Sequence, residues 1–85
     1  MNPIGNFGVV AVLVGAMDRA GLRQRDLALK AKLSPAQMSD ILSGRRYVSP
    51  RVAVALGAAL GLEPLPLLDL QFKERMAREL SDGPK

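Results

Sequence analysis

Eighty-five residues are enough for one small domain, spanning residues 1–85. The apolar share of 48% excludes a disordered chain, and 12 Lys+Arg against 8 Asp+Glu leave a net +4. With no cysteine and no histidine, disulfide scaffolds, Cys/His zinc sites, thiol nucleophiles and imidazole acid–base chemistry are excluded.

In chain order, residues 1–6 carry Pro3, Gly5 and two asparagines and read as an irregular lead-in. Residues 7–20 are apolar almost all round. That suits a helix buried on most sides, with Asn6 as cap and Gly21 at the left-handed position past its end. Val9, Val10, Val12 and Val14 are β-branched, so a strand, able to pair with a second copy, stands as the alternative. The apolar part of this stretch, residues 4–17, is 14 residues long, short of the ~20 a spanning helix needs. It has no Lys or Arg ahead of it, as a signal peptide would. No membrane association is expected, and a cytoplasmic location fits the absence of cysteine.

Residues 23–32 form a short amphipathic helix with Leu27, Ala28 and Ala31 inward. Ser34-Pro35 starts the next, residues 35–42, with Met38, Ile41 and Leu42 inward and Ser43-Gly44 ending it. Arg45, Arg46, Tyr47 and Val48 make a basic connector. Ser49-Pro50 repeats the start signal before the apolar run 52–60, which Gly61 stops. Glu63-Pro64-Leu65-Pro66 reads as a stiff link. Residues 67–80 form a last helix with Leu68, Phe72 and Met76 on one stripe, and 81–85 a frayed tail. On its other face Asp69–Lys73, Glu74–Arg78 and Arg75–Glu79 stand at i,i+4 spacing. The expected fold is all-α, a compact five-helix domain of the phage-repressor type, with a helix-turn-helix motif at residues 22–44.

The two middle helices are each too short to be stable alone and must cross over a shared core. Leu22-Arg23-Gln24, Leu27-Ala28, Ala31, Leu33-Ser34, Met38-Ser39, Ile41-Leu42 and Ser43-Gly44 together resemble the Cro/repressor-type (XRE) helix-turn-helix proteins. The resemblance implies a major-groove reader in the second helix and a first helix that spans the backbone. Where those proteins usually carry glycine in the turn, this chain has Lys32. A non-glycine residue at positive φ costs on the order of 1 kcal/mol, so a differently shaped turn is expected. A looser likeness, on Gly44-Arg45-Arg46, Ser49-Pro50, Ala53, Leu56, Ala59-Leu60-Gly61 and Leu68-Asp69-Leu70-Gln71, is to HigA-type antitoxins.

On this reading Ala36, Gln37, Ser39 and Asp40 are the candidate base contacts. Gln37 suits the donor–acceptor edge of adenine, Asp40 the cytosine amine, and Ala36 a thymine methyl. Asp40 has an alternative role, pairing with an arginine. Arg23, Gln24, Ser34, Arg45, Arg46, Tyr47 and Arg51 are candidate phosphate contacts. Charge is segregated to match. Residues 18–51 hold eight basic and three acidic side chains, a local +5, whereas residues 63–82 hold three and five, a local −2.

The apolar excess points to a homodimer, using Leu65, Leu67, Leu70 and Phe72, the valine-rich first segment, or both. If the last helix instead closes the chain's own core, its Leu68/Phe72/Met76 stripe does so. Double-stranded DNA is the expected partner and no metal or cofactor is implied. The carboxylates form no spaced catalytic pair, and no enzyme is expected. Two functions fit: a transcriptional repressor, phage-regulator-like, or an antitoxin that sequesters a small toxin protein.

Overall fold

A computed structural model describes residues 7–81, so the expectations for residues 1–6, Asn6 as cap included, and for 82–85 lie outside the described residues. Five helices follow one another: α1 (Phe7–Ala20), α2 (Gln24–Ala31), α3 (Pro35–Leu42), α4 (Pro50–Leu60) and α5 (Pro64–Ser81). The described residues contain no strand, and the fold is all-α. No helix among them is long and apolar enough to cross a membrane.

The valine-rich segment is helix, not strand. Val9, Leu13, Ala16 and Met17 fall on one side of α1 and are buried, so core packing overrides the β preference of the valines. Val9, Leu13 and Met17 meet Leu27, Met38, Ile41, Ala53, Leu56 and Leu67 in one cluster. The largest fully buried side chains are Leu13, Leu27, Met38, Ile41, Leu56 and Val9. α4 lies centrally, against α1, α2 and α5. No aromatic ring enters this core, for Phe7 and Phe72 stand 58% and 62% exposed.

Four helices end alike. The amide after the left-handed residue bonds back to a carbonyl five positions earlier: Leu22 to Met17 at 2.9 Å, Leu33 to Ala28 at 2.8 Å, Arg45 to Asp40 at 3.0 Å, Leu62 to Gly57 at 2.8 Å. Gly21, Gly44 and Gly61 supply positive φ at three of these ends. At the fourth, Lys32 adopts φ 58°, ψ 42°. The expected change of turn shape is thus corrected. The chain keeps the left-handed cap, and Leu33 and Ala28, joined by that bond, both pack into the core cluster.

α5 begins at Pro64, three residues before the sequence-based start. Pro64 and Pro66 fit its first turn because those amides have no intrahelical partner to lose. The side it turns inward is also not the expected one. Leu67 is 3% exposed and belongs to the chain's own core, while Phe72 and Met76 face outward. Asp69 and Lys73 pair as expected, at 3.0 Å. Glu74, which the spacing places beside Arg78, also reaches the start of α1. Its carboxylate accepts from the Gly8 amide at 2.6 Å and from the Val9 amide at 3.3 Å. Beyond Glu74 every described residue of α5 is exposed, so its last two turns project past the core.

Candidate nucleic-acid interface

α2 opens without a classical cap residue. Arg23 is extended, and its amide donates to the Asp26 carboxylate at 3.0 Å. That hydrogen bond, with the nearby Arg23 and Arg25 charges adding to it, holds the Asp26 carboxyl below the ordinary aspartate range. α3 opens with a reciprocal cap, in which the Ser34 hydroxyl accepts from the Gln37 amide and the Gln37 side-chain oxygen accepts from the Ser34 amide, both at 3.1 Å. The two helix starts adjoin. Arg23, Gln24, Arg25 and Ala28 of one, with Pro35 and Met38 of the other, line an open cleft of about 410 Å³. Two helix starts and the side chains of Arg23 and Arg25 therefore border one cleft, where dipole and guanidinium charge both suit a phosphate.

The outward side of α3 carries Ala36, exposed, and Gln37, Ser39 and Asp40, each half-buried. Gln37 spends its oxygen on Ser34, which fixes its rotamer at the helix start. Asp40 is the acceptor for Arg45, Oδ1 to Nη2 at 3.1 Å, and Arg46 Nε lies 3.9 Å from Oδ2. The alternative role weighed for Asp40, pairing with an arginine, is therefore present. It also draws the connector's two arginines to the end of the candidate reading helix.

The other candidate residues are less gathered. Ser34 and Gln24 are exposed at the two helix starts. Tyr47 is half-buried, with the Arg75 guanidinium 5.0 Å from its ring centroid, so this side chain leans on α5. Arg51 is exposed in the first turn of α4, after a Ser49 cap that accepts from Val52 at 3.2 Å.

Gln71 matters to this site and was not given a role by the sequence. Its amide accepts from the Val48 N–H at 2.6 Å and donates to the Val48 carbonyl at 2.7 Å, satisfying both backbone groups of a buried connector residue. Its place in the Leu68-Asp69-Leu70-Gln71 stretch was noticed, but its partner 23 residues away leaves no local signal.

The residues named for an interface between copies divide. Leu65 and Phe72 are exposed, whereas Leu70 is half-buried beside an apolar cleft of about 240 Å³ shared with Val12, Leu62 and Pro66. Leu67 is committed to the core.

A family model described as a helix-turn-helix domain matches residues 11–70, from the second turn of α1 into α5. No curated protein matches the chain. With two short helices crossed over one core, joined by a left-handed turn and flanked by basic side chains, the chain belongs to the helix-turn-helix domain family of DNA-binding proteins.

Proposed function

We propose that the protein is a sequence-specific duplex-DNA-binding transcriptional repressor that acts as a homodimer in the cytoplasm and without catalysis. The observation that carries this reading is the placement of the basic excess: a local +5 over residues 18–51 surrounds α2, α3 and the connector. In the proposed complex α3 lies in the major groove. Ala36, Gln37, Ser39 and Asp40 meet base edges, while Arg23, Gln24, Ser34, Arg45, Arg46, Tyr47 and Arg51 meet the backbone. Two copies would read half-sites about 10–10.5 bp apart, or a multiple of that. Leu65 and Phe72 are exposed for the contact between copies, with Leu70 beside them and Leu67 supporting from the core. Occupying an operator that overlaps a promoter would exclude polymerase.

The test is duplex affinity as a function of salt, with the oligomeric state followed by sedimentation. Binding is expected to weaken steeply with salt, with one dimer per site; a salt-independent interaction would remove the phosphate assignments. Replacing Gln37 with alanine is expected to relax preference at one base pair and leave binding to random duplex intact.

A second reading has support in the apolar side chains left exposed on α1 and α5, Phe7 and Val14 on the one, Leu65, Phe72 and Leu80 on the other. An antitoxin of the HigA type would use such a surface to hold a small toxin protein, with DNA binding serving autoregulation. Co-purification of a product of the adjacent gene would favour it, and a lysogeny-gene neighbourhood would favour a phage-type regulator.

A further inference from the structure

We infer that the Asp40 carboxylate sets specificity by acting as an internal stand-in for phosphate, holding Arg45 and Arg46 until a base amine draws it away and phosphate takes its place. The inference rests on the duplex-binding reading above and deepens it.

Asp40 and Ala36 are one turn apart on the outward side of α3. Asp40 Oδ1 accepts from Arg45 Nη2 at 3.1 Å, and Oδ2 lies 3.9 Å from Arg46 Nε. The partners are kept in reach by the backbone as well as by charge. The Arg45 amide donates to the Asp40 carbonyl at 3.0 Å, and the Ser43 hydroxyl donates to the same oxygen at 3.0 Å. The start of the connector is thus built onto the residue whose side chain neutralises it.

All three side chains are more than a third exposed, so water screens the pair and exchanging one partner for another costs little. A carboxylate can only accept hydrogen bonds. Facing guanine N7 and O6 or thymine O4, it finds acceptors and is repelled, so it stays on the arginines and cancels their charge. Facing the cytosine or adenine amine, it finds a donor. It then releases the two guanidiniums to the phosphates beside the groove. Base recognition and backbone attraction are coupled through one side chain, and random DNA is held less tightly because the carboxylate offsets part of the arginines' charge.

The experiment measures affinity over a range of salt for a short duplex of random sequence and for a site enriched from a random pool. The proteins are the full chain, Asp40→Asn, Arg45→Gln/Arg46→Gln, and the triple variant, each checked by circular dichroism. Asp40→Asn is nearly isosteric and keeps both backbone bonds. It is expected to raise random-duplex affinity several-fold, steepen the salt slope by about 1–2, and reduce discrimination between the two duplexes. In the double-glutamine background the same change is expected to do almost nothing. An unchanged slope in Asp40→Asn overturns the inference, as does an equal gain in both backgrounds, which would reduce Asp40 to a bare repulsive charge. Those outcomes leave the duplex-binding reading standing, whereas failure of the unaltered protein to bind any duplex overturns that reading itself.

Discussion

The helix-turn-helix unit and the α1–α5 frame that carries it are held by hydrogen bonds of different reach. Within and beside the unit, side chains bond to backbone three residues away: Asp26 to Arg23, Gln37 and Ser34 to each other, Ser49 to Val52. In the frame the separations are 66 residues for Glu74 and Gly8 and 23 for Gln71 and Val48. The family match ends at residue 70, just before Gln71 and Glu74. The helix-turn-helix unit is capped by self-contained local devices, whereas the long-range side-chain bonds come from Gln71 and Glu74 of one distant helix, beside the shared core.

If that division is right, damage to the frame should outweigh damage to any local cap. The largest effect is expected from Leu67→Ala, which empties the anchor of α5 in the core. A loss of about 2–5 kcal/mol in urea unfolding is expected, with α1 losing protection from hydrogen exchange together with α5. If α1 keeps its protection, the two helices are not one unit. Next, Gln71→Leu strands the N–H and carbonyl of Val48 and is expected to cost about 1–3 kcal/mol. Duplex affinity should fall with it, because the connector loses its mooring, whereas an unchanged affinity would confine Gln71 to stability.

A smaller effect, of opposite sign, is expected at the turn. The left-handed conformation costs a side chain about 1–2 kcal/mol, and the extra freedom of glycine in the unfolded chain returns part of that. Lys32→Gly should therefore stabilise by about 0.5–1 kcal/mol, read as a higher denaturation midpoint at unchanged m-value. A destabilised variant would show that the lysine side chain contributes more than its backbone strain costs.

The smallest is a pH effect at the start of α2. The Asp26 carboxyl is held below its ordinary range in the folded chain, so its contribution is present at neutral pH. It fades once the pH falls below the ordinary aspartate value of about 3.9 and on through the lowered folded value. Asp26→Asn should flatten the acid limb of the stability curve; an identical limb would leave that carboxylate without a part in it.

Legibility followed the same division. Ser34-Pro35, Ser49-Pro50 and the glycines at 21, 44 and 61 declare the helix boundaries, because caps and left-handed ends are made from neighbours in sequence. The outward side of α3 was readable for the same reason. Segment 7–20 was ambiguous because valine prefers strands, and only the packing of Val9 and Leu13 against distant helices decides it. The burial of Leu67 was not legible because a leucine-rich amphipathic helix does not state which flank meets the core. Lys32 was misjudged because turn geometry is decided by Leu33 reaching the core as well as by local strain. A pairing of Asp40 with an arginine is readable from sequence because arginines lie close by; the structure supplies Arg45, five residues on.

The bond between Glu74 and Gly8 has a consequence for how the protein is made. A side chain at position 8 would put a Cβ 2.7 Å from the Glu74 oxygen, so the approach is kept bare by glycine. α1 cannot receive this pair of hydrogen bonds until residue 74 has also been synthesised. Until then the start of α1 lacks the partner of its first amides, and the side of the helix that packs on α5 is incompletely covered.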